Sequence, residues 1–209
     1  MGRYIGPACR LCRREAMKLF LKGQRCYMSK CPIETGRPAP GMHGAMRRGK
    51  PSDYGIQMRE KQRMKRSFGL QEGQFRLFFD RALKRRGVTG EQLLQSLEMR
   101  LDNLVYRMGF APSRRAARQF VLHNHVTVNQ KKANIPSIVL KAGDVVTVRD
   151  KPASRQFAKE WLQANESRGV VAWLAVDKEA FSGKIDHMPT REEIAPAINE
   201  QLVVELYSK

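Results

Sequence analysis

Residues 101–148 read LDNLVYRMGFAPSRRAARQFVLHNHVTVNQKKANIPSIVLKAGDVVTV, two short helical patterns followed by short strands. Leu97, Leu101, Leu104, Val105 and Met108 recur with the 3.6-residue periodicity of one core-facing helical stripe, which Gly109 ends. Upstream, Thr89 and Gln92 form a T-x-x-Q capping box, so one long helix is expected to run into this stretch. Ser113 is placed to cap a second helix over residues 114–123, its side-chain oxygen accepting from free first-turn amides. That helix buries Ala117, Phe120 and Val121, and it sets Arg114, Arg115 and Arg118 around an N-terminus that already favours an anion. The pattern predicts a phosphate clamp. Val126–Val128, a polar tip at 129–132, Ile138–Leu140 and Val145–Val148 are β-branched runs separated by turn residues, and they predict strands.

Outward from this stretch, charge carries most of the information. The 209 residues hold 39 Lys and Arg against 20 Asp and Glu, a formal net charge of +19. A surface of that sign attracts a polyanion or an anionic membrane. Residues 1–100 hold 23 basic and eight acidic side chains, residues 101–209 hold 16 and 12, so the N-terminal half is the more electropositive. The longest apolar run, Val170–Val176, falls far short of the ~18 residues of a spanning helix. The N-terminus has no apolar signal core, and Gly6 occupies the position where myristoylation needs Ser or Thr. A cytoplasmic protein with no membrane partner is expected.

Cys9, Cys12, Cys26 and Cys31 are the only cysteines, spaced C-x2-C, thirteen residues, C-x4-C. Two short-range thiol pairs joined by a loop suit a tetrahedral structural metal site, with zinc the first choice and an iron–sulfur cluster sharing the same ligands. Disulfides or unrelated buried thiols are the alternatives; a cytosolic setting disfavours the former. Arg10, Arg13, Arg14 and Lys18 are expected to lower the thiol pKa values. Residues 35–51 are Pro/Gly-rich and basic, an extended linker that is either simply solvated or ordered by laying Arg37, Arg47, Arg48 and Lys50 along phosphates.

Ser52 caps a helix expected to run through Ser67 and stop at Gly69. Arg59, Arg63 and Arg66 share a face beside Lys61 and Lys65, with only Asp53 and Glu60 nearby to neutralise them, so a nucleic-acid face is favoured over a solvated one. The next helix, residues 72–86, puts Phe75, Phe78, Phe79, Ala82 and Leu83 on a core stripe. Past Val148, Phe157, Trp161 and Leu162 are assigned to packing in a helix over 154–165. Val170–Val176 is expected as a strand, Ser182-Gly183 as a turn, and Thr190 with Glu193 as a capping box for a short helix over 192–195. Residues 202–207 are expected to be extended.

An enzyme is not expected. The sequence has no P-loop, G-x-G-x-x-G or G-x-S-x-G. Glu192 and Glu193 are adjacent and diverge by about 100° on a helix. His123 and His125 lack a nearby Cys, Asp or Glu to complete a metal site. A four-thiolate metal leaves no open position for water.

The motifs SRRAARQFV, HVTVN, IPS and KAGDVV, together with MGRYIGPACRLCRRE, KGQRC, PSDYGIQMREKQRMKRSFG and NEQLVVELYSK, resemble the bacterial small-subunit ribosomal protein S-four family in its cysteine-containing form. Two positions depart from it, Asn124 and Gln130, where the family has Gly. Gln at positive φ costs about 1 kcal/mol, so a looser hairpin tip is expected. The resemblance implies primary binding to the 5′ domain of 16S rRNA at a multi-helix junction and nucleation of assembly. It further implies contact with ribosomal protein S-five and other small-subunit proteins, contact with mRNA near its entry channel, a role in accuracy and, in some bacteria, repression of its own mRNA. No small-molecule substrate is implied.

The same small RNA-binding module occurs in pseudouridine synthases and tyrosyl-tRNA synthetases, whose catalytic domains exceed the 61 residues after Val148. The other reading is a non-ribosomal assembly or recycling factor, which would leave the particle in a high-salt gradient. The expected fold is α+β: a metal knuckle over 1–43, a basic helical domain over 44–97 on which the C-terminal tail packs, and an RNA-binding domain over 98–209 with a short antiparallel sheet. The expected RNA-binding residues are Arg3, Arg13, Arg14, Arg47, Arg48, Lys50, Arg59, Lys61, Arg63, Lys65, Arg114, Arg115, Arg118, His123, Lys131 and Lys132.

Overall fold

The computed structural model describes residues 3–46, 49–194 and 198–208. In chain order the helices are α1 (Ala8–Glu15), α2 (Asp53–Ser67), α3 (Glu72–Leu83), α4 (Thr89–Glu98), α5 (Leu101–Arg107) and α6 (Arg114–Leu122). Strands β1 (Val126–Val128), β2 (Lys131–Lys132) and β3 (Val145–Val148) follow, then α7 (Pro152–Ala164), β4 (Leu174–Asp177), β5 (Ser182–Ile185) and α8 (Glu200–Tyr207). The chain divides into two units, Met1–Leu93 with Ala195–Lys209, and Leu94–Ile194. The cysteine-rich segment and the basic helices, expected as separate domains, fall in one unit, and α8 joins them there.

In the first unit Ser52 caps α2 by accepting from the Gly55 amide at 3.2 Å, and Gly69 takes φ 64 just past its end. Phe75, Phe78, Phe79 and Ala82 of α3 are buried, but Leu83, the last residue of the helix, is 60% exposed and does not join the core stripe. Residues 202–207 are helical, not extended. Asn199 caps α8 through the Gln201 amide, Val203 is buried, and α8 packs on α2 while Tyr207 stacks on Phe79 with 4.6 Å between ring centroids. The adjacent Val203 and Val204 favour extended backbone, but packing overrides that propensity.

In the second unit the expected long helix is broken. Arg100 adopts extended angles (φ −69°, ψ 138°) between α4 and α5 and forms an antiparallel bridge with Val139. The 138–140 segment, expected as a strand, has only this bridge. Its carbonyls serve the break: Leu101 N donates to Ile138 O at 2.8 Å and Asp102 N to Pro136 O at 3.1 Å, so the first amides of α5 are satisfied by tertiary contact. Ser113 caps α6, accepting from the Ala116 amide.

The five strands form one antiparallel sheet in the order β2-β1-β3-β5-β4. Val126, Val146, Val148 and Ile185 bury one face into a core with Leu104, Met108, Phe120, Ala158 and Trp173. Ser182 and Gly183, expected as a turn, lie in β5. A Cβ on Gly183 would stand 2.6 Å from Met108 Sδ, so glycine there serves close packing. The turn is earlier, where Asp177 Oδ1 accepts from the Glu179 and Ala180 amides. Residues 170–173 precede β4, so the expected strand is shorter and later. Glu193 does bond the Thr190 amide at 2.8 Å, but residues 191–193 form a turn rather than a helix, and Ala195 lies outside the described residues.

Candidate nucleic-acid interface

The break between α4 and α5 is where the second unit gathers its charge. Glu98 ends α4 and Asp102 lies in the first turn of α5; both are buried. Arg107 grips Glu98 through two bonds of 2.9 and 2.6 Å, and Arg100 grips Asp102 through two of 3.1 and 2.8 Å. Arg118 Nη1 donates to Asp102 at 3.3 Å. Arg114 Nε donates to Asn103 Oδ1 at 2.7 Å and the guanidinium lies 4.7 Å over the Tyr106 ring. Asn103 in turn donates to Glu98, completing the brace. Burial alone would raise the Glu98 carboxyl; the positive charge of Arg107, with its hydrogen bond and the Arg114 charge, holds it below the ordinary carboxylate range. Burial pushes the Arg114 guanidinium down, and Arg107 adds to that shift.

Four guanidiniums on two carboxylates leave surplus positive charge, pre-set in position. The three arginines expected to act together as a clamp are therefore not presented alike. Arg114 is turned inward and Arg118 is tied to Asp102, while Arg115 is exposed at the start of α6. The missing signal was Glu98 and Asp102, which lie outside α6 and meet it only through the fold. Lys131 and Lys132 form the exposed edge strand β2, and His123 is exposed with Gln119 at 3.2 Å.

The same inward turn of charge occurs in the first unit. Arg59 Nη1 lies 3.2 Å from Glu15 Oε1, Arg66 binds the same oxygen, and Arg63 donates to the Glu15 carbonyl at 3.2 Å and to Glu60. The expected basic face of α2 is thus directed at the buried last residue of α1. Lys61 is 7% exposed and pairs with Glu72, as does Lys65 at 2.7 Å, so Lys61 is no surface phosphate ligand. Proximity along the chain reveals only Asp53 and Glu60; Glu15 and Glu72 arrive from other helices.

Exposed charge in this unit lies elsewhere. Arg10, Arg13, Lys22, Arg25 and Arg37 line a groove of about 680 Å³ that also has Cys9 and four prolines in its wall and no carboxylate. Sequence reading placed Arg13 and Arg37 near phosphates but missed Arg10, Lys22 and Arg25. A signal existed, because no acidic residue occurs between Glu15 and Glu34. Arg3, Arg14 and Lys50 are exposed, while Arg47 and Arg48 lie outside the described residues.

The four cysteines are free thiols, with Cys12, Cys26 and Cys31 buried and Cys9 half-buried. Cys26 Sγ accepts from the Lys22 amide at 3.3 Å. Burial raises the Cys12 and Cys26 thiols, backbone amides that donate to them lower them in part, and charge on the other cysteines raises them further, so the lowering expected from neighbouring Arg and Lys does not occur at these two thiols. The donors are of the right kind and number for a four-thiolate metal and lie within electrostatic reach of one another. Among the described residues, though, no three His, Cys, Asp or Glu side chains converge closely enough to hold an ion. Nor is any described helix long and apolar enough to cross a membrane.

Residues 3–98 match the family described as ribosomal protein S4/S9 N-terminal domain, and residues 99–146 match the S4 domain. The boundary between the two matches falls at the helix break. Over all 209 residues, covering 100% of both chains, the sequence is 56% identical to small ribosomal subunit protein uS4 of Trichlorobacter lovleyi and 56% identical to that of Geobacter metallireducens. It is 50% identical over the same span to the protein of that name from Thermus thermophilus. With half or more of the residues identical over the full length of both chains, the chain belongs to the bacterial family of small ribosomal subunit protein uS4.

Proposed function

We propose that the chain is a structural, rRNA-binding constituent of the small ribosomal subunit in the cytoplasmic ribosome, where it binds 16S rRNA and neighbouring small-subunit proteins without catalysing a reaction. The observation that carries this reading is full-length similarity to proteins of that name. The geometry supports it, because braced arginines and a carboxylate-free basic groove suit phosphates presented by a folded RNA, read by shape rather than base by base. In finer detail, the chain would nucleate assembly of the 5′ domain, touch ribosomal protein S-five, border the mRNA entry channel, contribute to accuracy and repress its own mRNA.

Within the expected RNA-binding set, Arg3, Arg13, Arg14, Arg47, Arg48, Lys50, Arg115, His123, Lys131 and Lys132 are proposed as direct contacts. Arg59, Lys61, Arg63, Lys65, Arg114 and Arg118 hold the surface in shape and supply its field. Cys9, Cys12, Cys26 and Cys31 are proposed as ligands of a zinc ion, an iron–sulfur cluster being the other group with this donor set. Metal charge would offset the burial that now disfavours the Cys12 and Cys26 thiolates.

Filter binding to a 16S rRNA transcript tests the electrostatic reading. Arg115→Ala should weaken binding and reduce the slope of log affinity against log salt by about one. An unchanged slope removes Arg115 from the interface.

A further inference from the structure

Spacing assigns the aromatic residues of α7 to packing, yet Phe157 is 43% exposed. It is not a stray apolar group. Its ring stacks on Trp161, with 5.6 Å between centroids and 19° between planes, and meets His125 edge-on at 6.2 Å. His125 itself stacks on Phe120 at 4.7 Å and 12°, and its Nδ1 is fixed by Ser154 Oγ at 2.8 Å. Phe120 closes the ring of contacts by meeting Trp161 edge-on at 5.2 Å. Four rings from α6, α7 and the turn between α6 and β1 therefore hold one another in place, and the outermost presents an exposed surface.

We infer that this cluster is a stacking site for an unpaired nucleobase of the bound RNA, with Phe157 as the platform and Trp161 and His125 as its rigid support. The inference rests on the rRNA-binding reading and adds a subsite to it. Three observations favour a base over an apolar protein side chain as the occupant. The platform is aromatic and pre-oriented, so a π-face can be received without freezing a mobile ring. A lysine stands beside it: after burial and His123, Lys151 helps to lower the His125 pKa. A flanking phosphate thus has a partner that an apolar peptide would not use. His123, whose ring centroid is 6.3 Å from that of His125, also extends the site toward the start of β1.

The test uses the full-length chain and a 16S rRNA transcript. Phe157→Leu keeps an apolar side chain but loses the π-face; it should weaken binding about tenfold while leaving the salt slope unchanged, because stacking neutralises no phosphate. Phe157→Tyr should stay within about twofold of the parent. Trp173 is 1% exposed, so acrylamide-quenchable fluorescence reports Trp161, and RNA should shield it in the parent but less in Phe157→Leu. Equal affinity of Phe157→Leu and the parent overturns the proposal, as does a loss accompanied by a shallower salt slope. Shielding of Trp161 by small-subunit proteins but not by RNA also overturns it, making the patch a protein contact. A parent chain that does not bind the transcript at all would instead overturn the rRNA-binding reading on which the site rests.

Discussion

Glu15, the last residue of α1, lies beneath Arg59 of α2 with 3.2 Å between its Oε1 and the arginine Nη1, and Arg66 reaches the same oxygen. This carboxylate joins the cysteine-bearing segment to the basic helix. Its side chain is fully buried, whereas the arginines keep partial access to water. Glu15→Gln should lower stability by about 2–3 kcal/mol, because the guanidiniums lose a charged acceptor. Urea unfolding followed by circular dichroism measures this; an unchanged midpoint and slope would remove Glu15 as the joint.

Glu72 predicts the acid limb of stability. Burial by itself raises its carboxyl, but hydrogen bonds from Lys61, Lys65 and Tyr207 outweigh it and bring the pKa from 4.5 down to about 2. A lowered folded-state value stabilises the fold above the unfolded value and loses that contribution as pH falls through the folded one. Glu72→Gln should therefore be less stable than the parent at neutral pH. The gap should shrink between pH 4.5 and about 2. Unfolding curves for both proteins across that window decide it, and a pH-independent gap would contradict the assignment.

The β1–β2 hairpin predicts a gain. Asn129 and Gln130 both have positive φ, 47° and 66°, as a two-residue type I′ turn requires, and Asn129 suits this better than Gln130. Asn129 is also anchored, donating to Asp144 and accepting from the Val145 amide, both at 2.9 Å. Gln130→Gly should raise stability by about 0.5–1 kcal/mol after the added unfolded-state entropy of glycine is discounted. A lower thermal midpoint in the variant would count against strain at this position.

The cysteines predict a metal-dependent unit. Protein purified without chelator should carry about one equivalent of zinc, and Cys9→Ser should release it and loosen residues 3–46. Native mass spectrometry with hydrogen exchange reads both. Retention of the metal by the variant, or unchanged protection after loss, would argue against a structural site.

Much of this architecture is written locally. Ser52 and Ser113 start their helices because a hydroxyl there can accept a first-turn amide. Gln130, where the hairpin tip lacks a glycine, takes the positive φ expected of it. Helix α6 and strands β1 and β3 likewise follow from periodicity, whereas β2 and the single bridge at Val139 do not. The net charge of +19, with no apolar run long enough to span a membrane, points to a polyanion.

Tertiary structure decided where that charge goes. Glu15, Glu72, Glu98 and Asp102 each capture arginines or lysines from another helix, and their pairings depend on distances that spacing along one helix does not encode. The same holds for the break at Arg100, where no Gly or Pro marks the spot and the amides of α5 are satisfied by residues 136 and 138. It holds too for α8, whose valines enter a helix because a helix buries Val203 and stacks Tyr207. Sequence set the local conformations and the sign of the field, since capping and periodicity act over a few residues. Folding chose which cations are spent internally and which are left for RNA, since Coulomb pairing and burial act through space.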